Sequence, residues 1–110
     1  MTVEDVIVAA IRRGLSLEVI YDGYARLVSP IRYGWKETEK EGMHKNLFCY
    51  QFGGYSSRGL GPDGSMQNYR CWNLENISGA SVVEIPTHSG LKWTSEPSTC
   101  IDRVIVGLPV

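Results

Sequence analysis

Eight polar residues in the middle of the chain have the side-chain types that bind anions. They are Arg26, Tyr33, Tyr50, Gln51, Ser56, Ser57, Arg58 and Arg70. The planar donors of arginine bind two oxygens of a phosphate or carboxylate at once, and tyrosine rings can stack on bases or on apolar ligand edges. These residue types predict a ligand-binding or regulatory module that recognises a small anionic ligand or a nucleotide.

The same residues also have a purely structural interpretation. Outward-facing residues of half-buried strands are commonly polar, and Arg26 and Arg70 could pair with carboxylates such as Glu18 and Glu75. The two interpretations differ in one testable respect. A binding site requires both guanidinium groups beside one water-accessible hollow, whereas the structural interpretation places them apart, each with its own carboxylate.

Other kinds of chemistry have weaker support in the sequence. Residues Gly59 to Gly64 have the glycine spacing of the dinucleotide-binding fingerprint, but a turn follows instead of the helix which that motif needs. Neither His44 nor His88 has partners at the spacing of a known metal motif, and no nucleophile elbow frames a serine. We therefore predict a protein that is not an enzyme, with no catalytic residue, no metal and no cofactor.

The length and charge of the chain limit the possible functions. Its 110 residues suit one domain spanning 1–110, and a formal net charge of -1 provides no overall field toward nucleic acid or an anionic membrane. The first residues are acidic, and no apolar stretch approaches the roughly 18 residues of a membrane span. We expect a cytoplasmic protein without a membrane partner.

The chain has three cysteines that could form a disulfide or remain free. Cys49, Cys71 and Cys100 are odd in number, widely spaced and set among apolar or aromatic neighbours. This pattern favours buried free thiols over a disulfide framework. A reducing compartment fits that expectation.

The elements that must position the polar residues follow from periodicity and turn signals. Thr2 and Asp5 have capping-box spacing, apolar residues recur at helical spacing up to Ile11, and Gly14 is a natural stop, so a helix is predicted. The period then changes to that of strands, and Asp22-Gly23 predicts a tight hairpin turn. Strands are predicted within 17–21, 24–29, 32–34, 47–52, 68–73, 82–85 and 101–106, with a glycine-rich loop at 53–67.

These elements predict a mainly β, α+β fold: a small closed or half-closed antiparallel β-barrel with one N-terminal helix. A long loop without structure of its own is often functional. The polar residues cluster around this loop and the strands on either side of it.

The order of several short motifs resembles the small stand-alone branch of the WYL-domain family over roughly residues 3–85. The motifs are Val19-Ile20-Tyr21, Arg26-Leu27-Val28-Ser29-Pro30, Tyr33-Gly34, Leu47, Tyr50-Gln51, Gly53-Gly54, Ser56-Ser57 and Tyr69-Arg70-Cys71-Trp72. The resemblance implies a small SH3-like or Sm-like antiparallel β-barrel of bacterial or phage origin, which senses a ligand or contacts nucleic acid and has no catalytic activity. Carried over by position, it implies that Arg26, Tyr50, Gln51 and Arg70 line a pocket.

Two further classes of partner remain open. Aromatic faces and basic side chains together can bind single-stranded nucleic acid. An exposed sheet edge, or a surface carrying Trp35, Leu91 and Trp93, could instead form a protein interface such as a homodimer.

Overall fold

The computed structural model describes residues 1–88 and 100–108 as one helix followed by six strands. The elements are α1 (Val3–Arg13), β1 (Leu15–Tyr21), β2 (Tyr24–Thr38), β3 (Gly42–Gly54), β4 (Tyr69–Asn73), β5 (Ile77–Pro86) and β6 (Arg103–Gly107). Short 3-10 helices at Met66–Asn68 and Leu74–Asn76 flank β4. The prediction of a mainly β fold with one N-terminal helix is confirmed.

Both ends of α1 form as their residue types predict. The Thr2 hydroxyl accepts from the Asp5 backbone N–H at 3.0 Å, and the Asp5 carboxylate accepts from the Thr2 backbone N–H at 3.1 Å. Gly14 ends the helix with φ 67°, a left-handed conformation that favours glycine. Ile7 and Ile11 are buried, so the helix is held by the apolar face that it lays on the sheet.

The sheet is antiparallel, with strand order β4-β3-β2-β1-β5 and with β6 also paired to β2. The long strand β2 changes partner along its length: residues 24–28 pair with β1, and residues 32–35 pair with β6. Pro30 lies between these two stretches, where its missing N–H is needed by neither partner. This position agrees with the bend or strand end predicted for Pro30.

The sheet is strongly curved. Tyr21 in β1 and Trp72 in β4 lie three strand positions apart, yet their rings stack with centroids 4.4 Å apart. In a flat sheet three inter-strand spacings would separate them by about 14 Å. Within the described residues β4 and β5 do not pair, so the sheet is curved but is not closed into a barrel.

The two faces of the sheet bury separate clusters. The concave face and α1 form the main core, whose strand residues include Val28, Tyr33, Leu47, Cys49 and Trp72. The opposite face buries a smaller cluster of Ile31, Phe48, Tyr50, Cys100 and Ile101. Because side chains alternate along a strand, Cys49 and Gln51 lie on the concave face, and Tyr50 lies on the other.

The prediction of three free thiols is wrong. Cys71 and Cys100 form a disulfide with a Cα separation of 5.9 Å, and the buried Cys49 is the free cysteine. The bond ties β4 to the chain just before β6. The cysteine pattern therefore gives no support for a reducing compartment, and the cytoplasmic location stays a prediction.

Candidate functional site

Arg70 in β4 is held in place by hydrogen bonds to four acceptors. Its Nε donates to the Gln51 side-chain oxygen at 3.1 Å, and one terminal nitrogen donates to the backbone oxygens of Gln67 and Tyr69. The other terminal nitrogen donates to the Ser56 hydroxyl at 3.3 Å. Of the five N–H groups of this guanidinium, one has no acceptor in the described part of the chain. The group is fixed, partly exposed and able to bind a further oxygen.

Gln51 connects Arg70 to the glycine-rich loop. Its side chain is fully buried, and its amide nitrogen donates to the backbone oxygens of Gly53 and Tyr55, at 3.0 and 2.7 Å. Gly54 follows with φ 79°, and a Cβ there would lie 2.5 Å from the backbone oxygen of Ala25. A glycine is therefore required for the loop to leave β3 at this angle and close to β2.

A hollow of about 470 Å³ lies where this loop faces Arg70. It is lined by Ser56, Ser57, Arg58, Gly59, Gln67 and Arg70. The lining thus contains two guanidinium groups, two hydroxyls and an amide, and no carboxylate. Four of the eight predicted site residues, Ser56, Ser57, Arg58 and Arg70, come together in this hollow.

Of the two guanidinium groups expected beside one hollow, only that of Arg70 lines it, because Arg26 lies buried among aromatic rings. Its guanidinium carbon is 5.0 Å from the ring centroid of Tyr21, 5.3 Å from that of Trp72 and 5.4 Å from that of Tyr55. One terminal nitrogen donates to the Tyr21 backbone oxygen at 3.3 Å, whereas the buried Nε has no hydrogen-bond partner in the part of the chain that the structure describes. The side chain is only 9% exposed, so this charge is largely removed from water.

The two arginines share the concave face of the sheet. Arg26 contacts the ring of Trp72, which lies two residues after Arg70 and therefore on the same side of β4. Burial, and to a smaller extent the positive charge of Arg26, lowers the pKa of Arg70. Among the described residues neither arginine forms an ion pair with a carboxylate. The pairing with Glu18 and Glu75 that the structural interpretation requires is not found.

Cys49 lies close enough to both guanidinium groups to feel their charges. Burial raises the pKa of its thiol above the ordinary value of 9.0, although both arginines act in the opposite direction. The sulfur therefore stays protonated at neutral pH and does not neutralise either arginine. The concave face thus carries two positive charges, and among the described residues neither has a carboxylate oxygen within 4.0 Å.

The two predicted tyrosines do not join this group. Tyr33 is buried in the main core, and its hydroxyl donates to the Glu4 carboxylate of α1 at 2.6 Å. Tyr50 lies on the opposite face of the sheet, and its hydroxyl donates to Asp63 at 2.9 Å. Burial and then the bond to Glu4 raise the pKa of Tyr33. The Tyr33 hydroxyl thus helps to hold α1 on the sheet, and the Tyr50 hydroxyl helps to hold the glycine-rich loop.

A serine, a histidine and an aspartate also meet on the face that carries Tyr50. The Ser29 hydroxyl lies 3.1 Å from Nδ1 of His88, and Nε2 of that ring lies 4.0 Å from Asp63. However, Ser29 is fully buried, and its hydroxyl also accepts the backbone N–H of His88. A nucleophile needs access to substrate, so we interpret this group as a set of hydrogen bonds that holds the chain just after β5 against β2.

The residues that sequence reasoning missed are the aromatic ones. Tyr21, Tyr55 and Trp72 surround Arg26, and Tyr24 stacks on the outer side of Tyr55 with centroids 3.9 Å apart. Each of them fits an ordinary strand or loop position by itself. The only available signal was the placement of Tyr21 and Tyr24 on either side of the hairpin turn that leads to Arg26.

Comparison of the chain with family models, with curated proteins and with solved structures finds no match. The resemblance to the WYL-domain family therefore stays a prediction. In the described ranges, no helix is long and apolar enough to cross a membrane.

Proposed function

We propose that this protein is a binding or regulatory module, not an enzyme, which recognises a small anionic ligand through the hollow between β4 and the glycine-rich loop. The observation that carries the proposal is the unbalanced positive charge on the concave face. Arg58 and Arg70 line the hollow, Arg26 is buried behind it, and the lining has no carboxylate.

The energetic reason is the cost of burying charge. Removing a guanidinium from water without an anionic partner costs several kcal/mol, and a second cation nearby adds repulsion. The aromatic rings around Arg26 offset part of this cost by cation–π attraction, of about 2 kcal/mol when desolvated. A phosphate or carboxylate in the hollow would offset the rest. A site of this kind would select a ligand by its charge and by its ability to accept from fixed N–H and O–H donors.

The fold-level part of the proposal is an SH3-like or Sm-like barrel of the WYL-domain type. It is supported by the strong curvature of the sheet, which brings β1 into contact with β4. It is also supported by the motifs of the resemblance, since Arg70 and Gln51 of those motifs are hydrogen-bonded to each other at the site.

The direct test is calorimetric titration of the purified protein at low salt with inorganic phosphate, pyrophosphate and citrate. We expect binding that weakens as ionic strength rises, because the hollow is partly exposed. Replacing Arg70 with glutamine should lower affinity by at least about tenfold, the usual size of a lost charge-assisted hydrogen bond. Arg12→Gln is the matched control, because Arg12 is an exposed helix residue that does not line this hollow.

Two results would count against the proposal. One is the absence of binding by any of the three anions at millimolar concentration. The other is an equal loss of affinity in Arg70→Gln and Arg12→Gln, which would show a response to net charge instead of to the hollow.

A separate measurement tests the role of Arg26. Arg26→Met removes the buried charge but keeps an apolar stem among the rings, so the ligand-free protein should be as stable as the wild type or more stable in urea unfolding. Anion affinity should fall less than in Arg70→Gln, because Arg26 acts through its field and not by contact. A loss of stability of more than about 2 kcal/mol would show that the aromatic contacts alone explain why arginine is present.

Self-association is a second candidate role, favoured by the apolar surface of β6. Val104 and Ile105 are 50% and 44% exposed, and in the described residues β6 pairs on one side only, with β2. An unpaired strand edge can pair with another chain. Sedimentation velocity would detect a homodimer, and Ile105→Lys should then shift it toward monomer. Trp35 is covered by Lys45, and Leu91 and Trp93 lie outside the described residues.

A further inference from the structure

A continuous stack of rings leads from the buried Arg26 to the protein surface. The guanidinium of Arg26 lies 5.4 Å from the Tyr55 ring, and Tyr55 stacks on Tyr24 at 3.9 Å with an interplanar angle of 15°. Tyr55 therefore has neighbours on both faces. Tyr24 is the outer ring of this pair and is 49% exposed, so about half of the residue is accessible to a ligand.

This stack is fixed in place beside the anion hollow. The Tyr55 backbone N–H donates to Ala25 at 3.0 Å, and its carbonyl accepts from the Gln51 side chain at 2.7 Å. Tyr55 is followed directly by Ser56, whose hydroxyl holds Arg70 at the wall of the hollow. The same short segment thus positions an exposed ring pair and an anion-binding wall, and both are ordered before any ligand arrives.

We propose that the ligand is a mononucleotide, whose phosphate binds at Arg58 and Arg70 and whose base stacks on the outer face of Tyr24. The proposal rests on the proposed function, since it uses the same hollow for the phosphate. A flat base is the group that a rigid tyrosine face binds best, and stacking of this type tolerates any base. The formal net charge of -1 and the two guanidinium groups that line this hollow favour one phosphate group over the backbone of a long strand.

The test compares five probes by calorimetry on the full chain: inorganic phosphate, ribose 5-phosphate, adenosine, adenosine 5′-monophosphate and a single-stranded decanucleotide. We expect adenosine 5′-monophosphate to bind about tenfold more tightly than ribose 5-phosphate because of base stacking. Adenosine alone should bind most weakly of the compounds that carry the base. The decanucleotide should bind no more tightly than the mononucleotide.

Variants of Tyr24 separate the ring from the phosphate site. Tyr24→Leu should abolish the preference for the nucleotide over ribose 5-phosphate and leave ribose 5-phosphate affinity unchanged. Tyr24→Phe keeps the ring and should keep the preference. Phe52→Leu is the control for loss of a ring, because Phe52 packs against the cluster on the opposite face of the sheet.

The outcomes distinguish this proposal from the one on which it rests. Equal affinity for ribose 5-phosphate and the nucleotide, or a preference that survives in Tyr24→Leu, overturns the nucleotide proposal and leaves the anion site. Binding of the decanucleotide without binding of the mononucleotide also overturns it, in favour of single-stranded nucleic acid. If no phosphate-bearing probe binds, the nucleotide proposal fails, and the anion proposal fails with it unless citrate binds.

Discussion

The disulfide between Cys71 and Cys100 permits the most quantitative prediction. Its cysteines are separated by 29 positions, so the bond closes a loop that includes β5. In the chain-entropy description, a loop of this length restricts the unfolded state by about 3.5 kcal/mol at 25 °C. We expect the double variant Cys71→Ser, Cys100→Ser to lose stability of that size, which corresponds to a fall of roughly 10–20 °C in melting temperature.

The native state should survive the loss of the bond. The Cys100 backbone oxygen accepts from the Asn46 side chain at 2.9 Å in a buried contact, and Ile101 is buried beside it. These interactions keep the chain before β6 on the sheet without the sulfur link. The variant should therefore remain folded and cooperative, with most of the lost free energy arising in the unfolded state.

The assay is urea unfolding of oxidised wild type, reduced wild type and the double variant, together with thiol titration. Oxidised protein should expose one thiol per chain in denaturant, from Cys49, and none when native, because Cys49 is fully buried. Reduced wild type and the variant should unfold at similar urea concentrations. Three titratable thiols in the oxidised, denatured protein, or stability unaffected by reductant, would refute the reasoning.

Three further predictions concern stability. Hydrogen bonds from Lys45 and then from the Tyr33 phenol hold the pKa of Glu4 below its ordinary value of 4.5. The stability that ionised Glu4 contributes is therefore present above about pH 4.5 and is lost as pH falls. From about pH 5 to about pH 3, the free energy of unfolding measured in urea should fall more for wild type than for Glu4→Gln. In Gly34→Ala the new Cβ would lie 2.2 Å from the backbone oxygen of Arg103, so a loss of about 2 kcal/mol or more in urea unfolding is expected. Tyr50→Phe removes three hydrogen bonds of the hydroxyl, one donated to Asp63 and two accepted from Gly64 and Asn68, so amide exchange at residues 61–65 should become faster; unchanged exchange would contradict this role.

Local signals in the sequence predicted local structure well. The Thr2 and Asp5 caps, the Gly14 stop and the Asp22-Gly23 turn each follow from backbone requirements within a few residues. Strand ends were less accurate. β5 begins at Ile77 instead of residue 82. Its first five residues include two serines and a glycine, which do not have the composition typical of a strand, but this segment pairs with β1.

Features that depend on long-range contact could not be derived from spacing. The Cys71–Cys100 bond forms because β6 returns to β2 and places residue 100 beside β4, which no local pattern records. The aromatic cage of Arg26 likewise depends on the curvature that brings β1 against β4. Residue type did identify part of the hollow, since Ser56, Ser57, Arg58 and Arg70 have side chains that bind anions and all four line it.

The concave face of the sheet is divided between structure and the candidate site. Along β2, Val28 and Tyr33 belong to the core that α1 covers, whereas Arg26 lies in the aromatic cage beyond it. The apolar burial that stabilises the fold is concentrated in the helix-covered part, so the remaining part can hold a buried cation without loss of the fold. Arg26 is buried at an energetic cost with a second arginine nearby, and among the described residues neither of the two forms an ion pair with a carboxylate. On the proposed function, the ligand is the reason that this costly charge is kept. This division predicts that substitutions at Arg26 and Arg70 alter anion affinity more than they alter folding, while substitutions under α1 do the reverse.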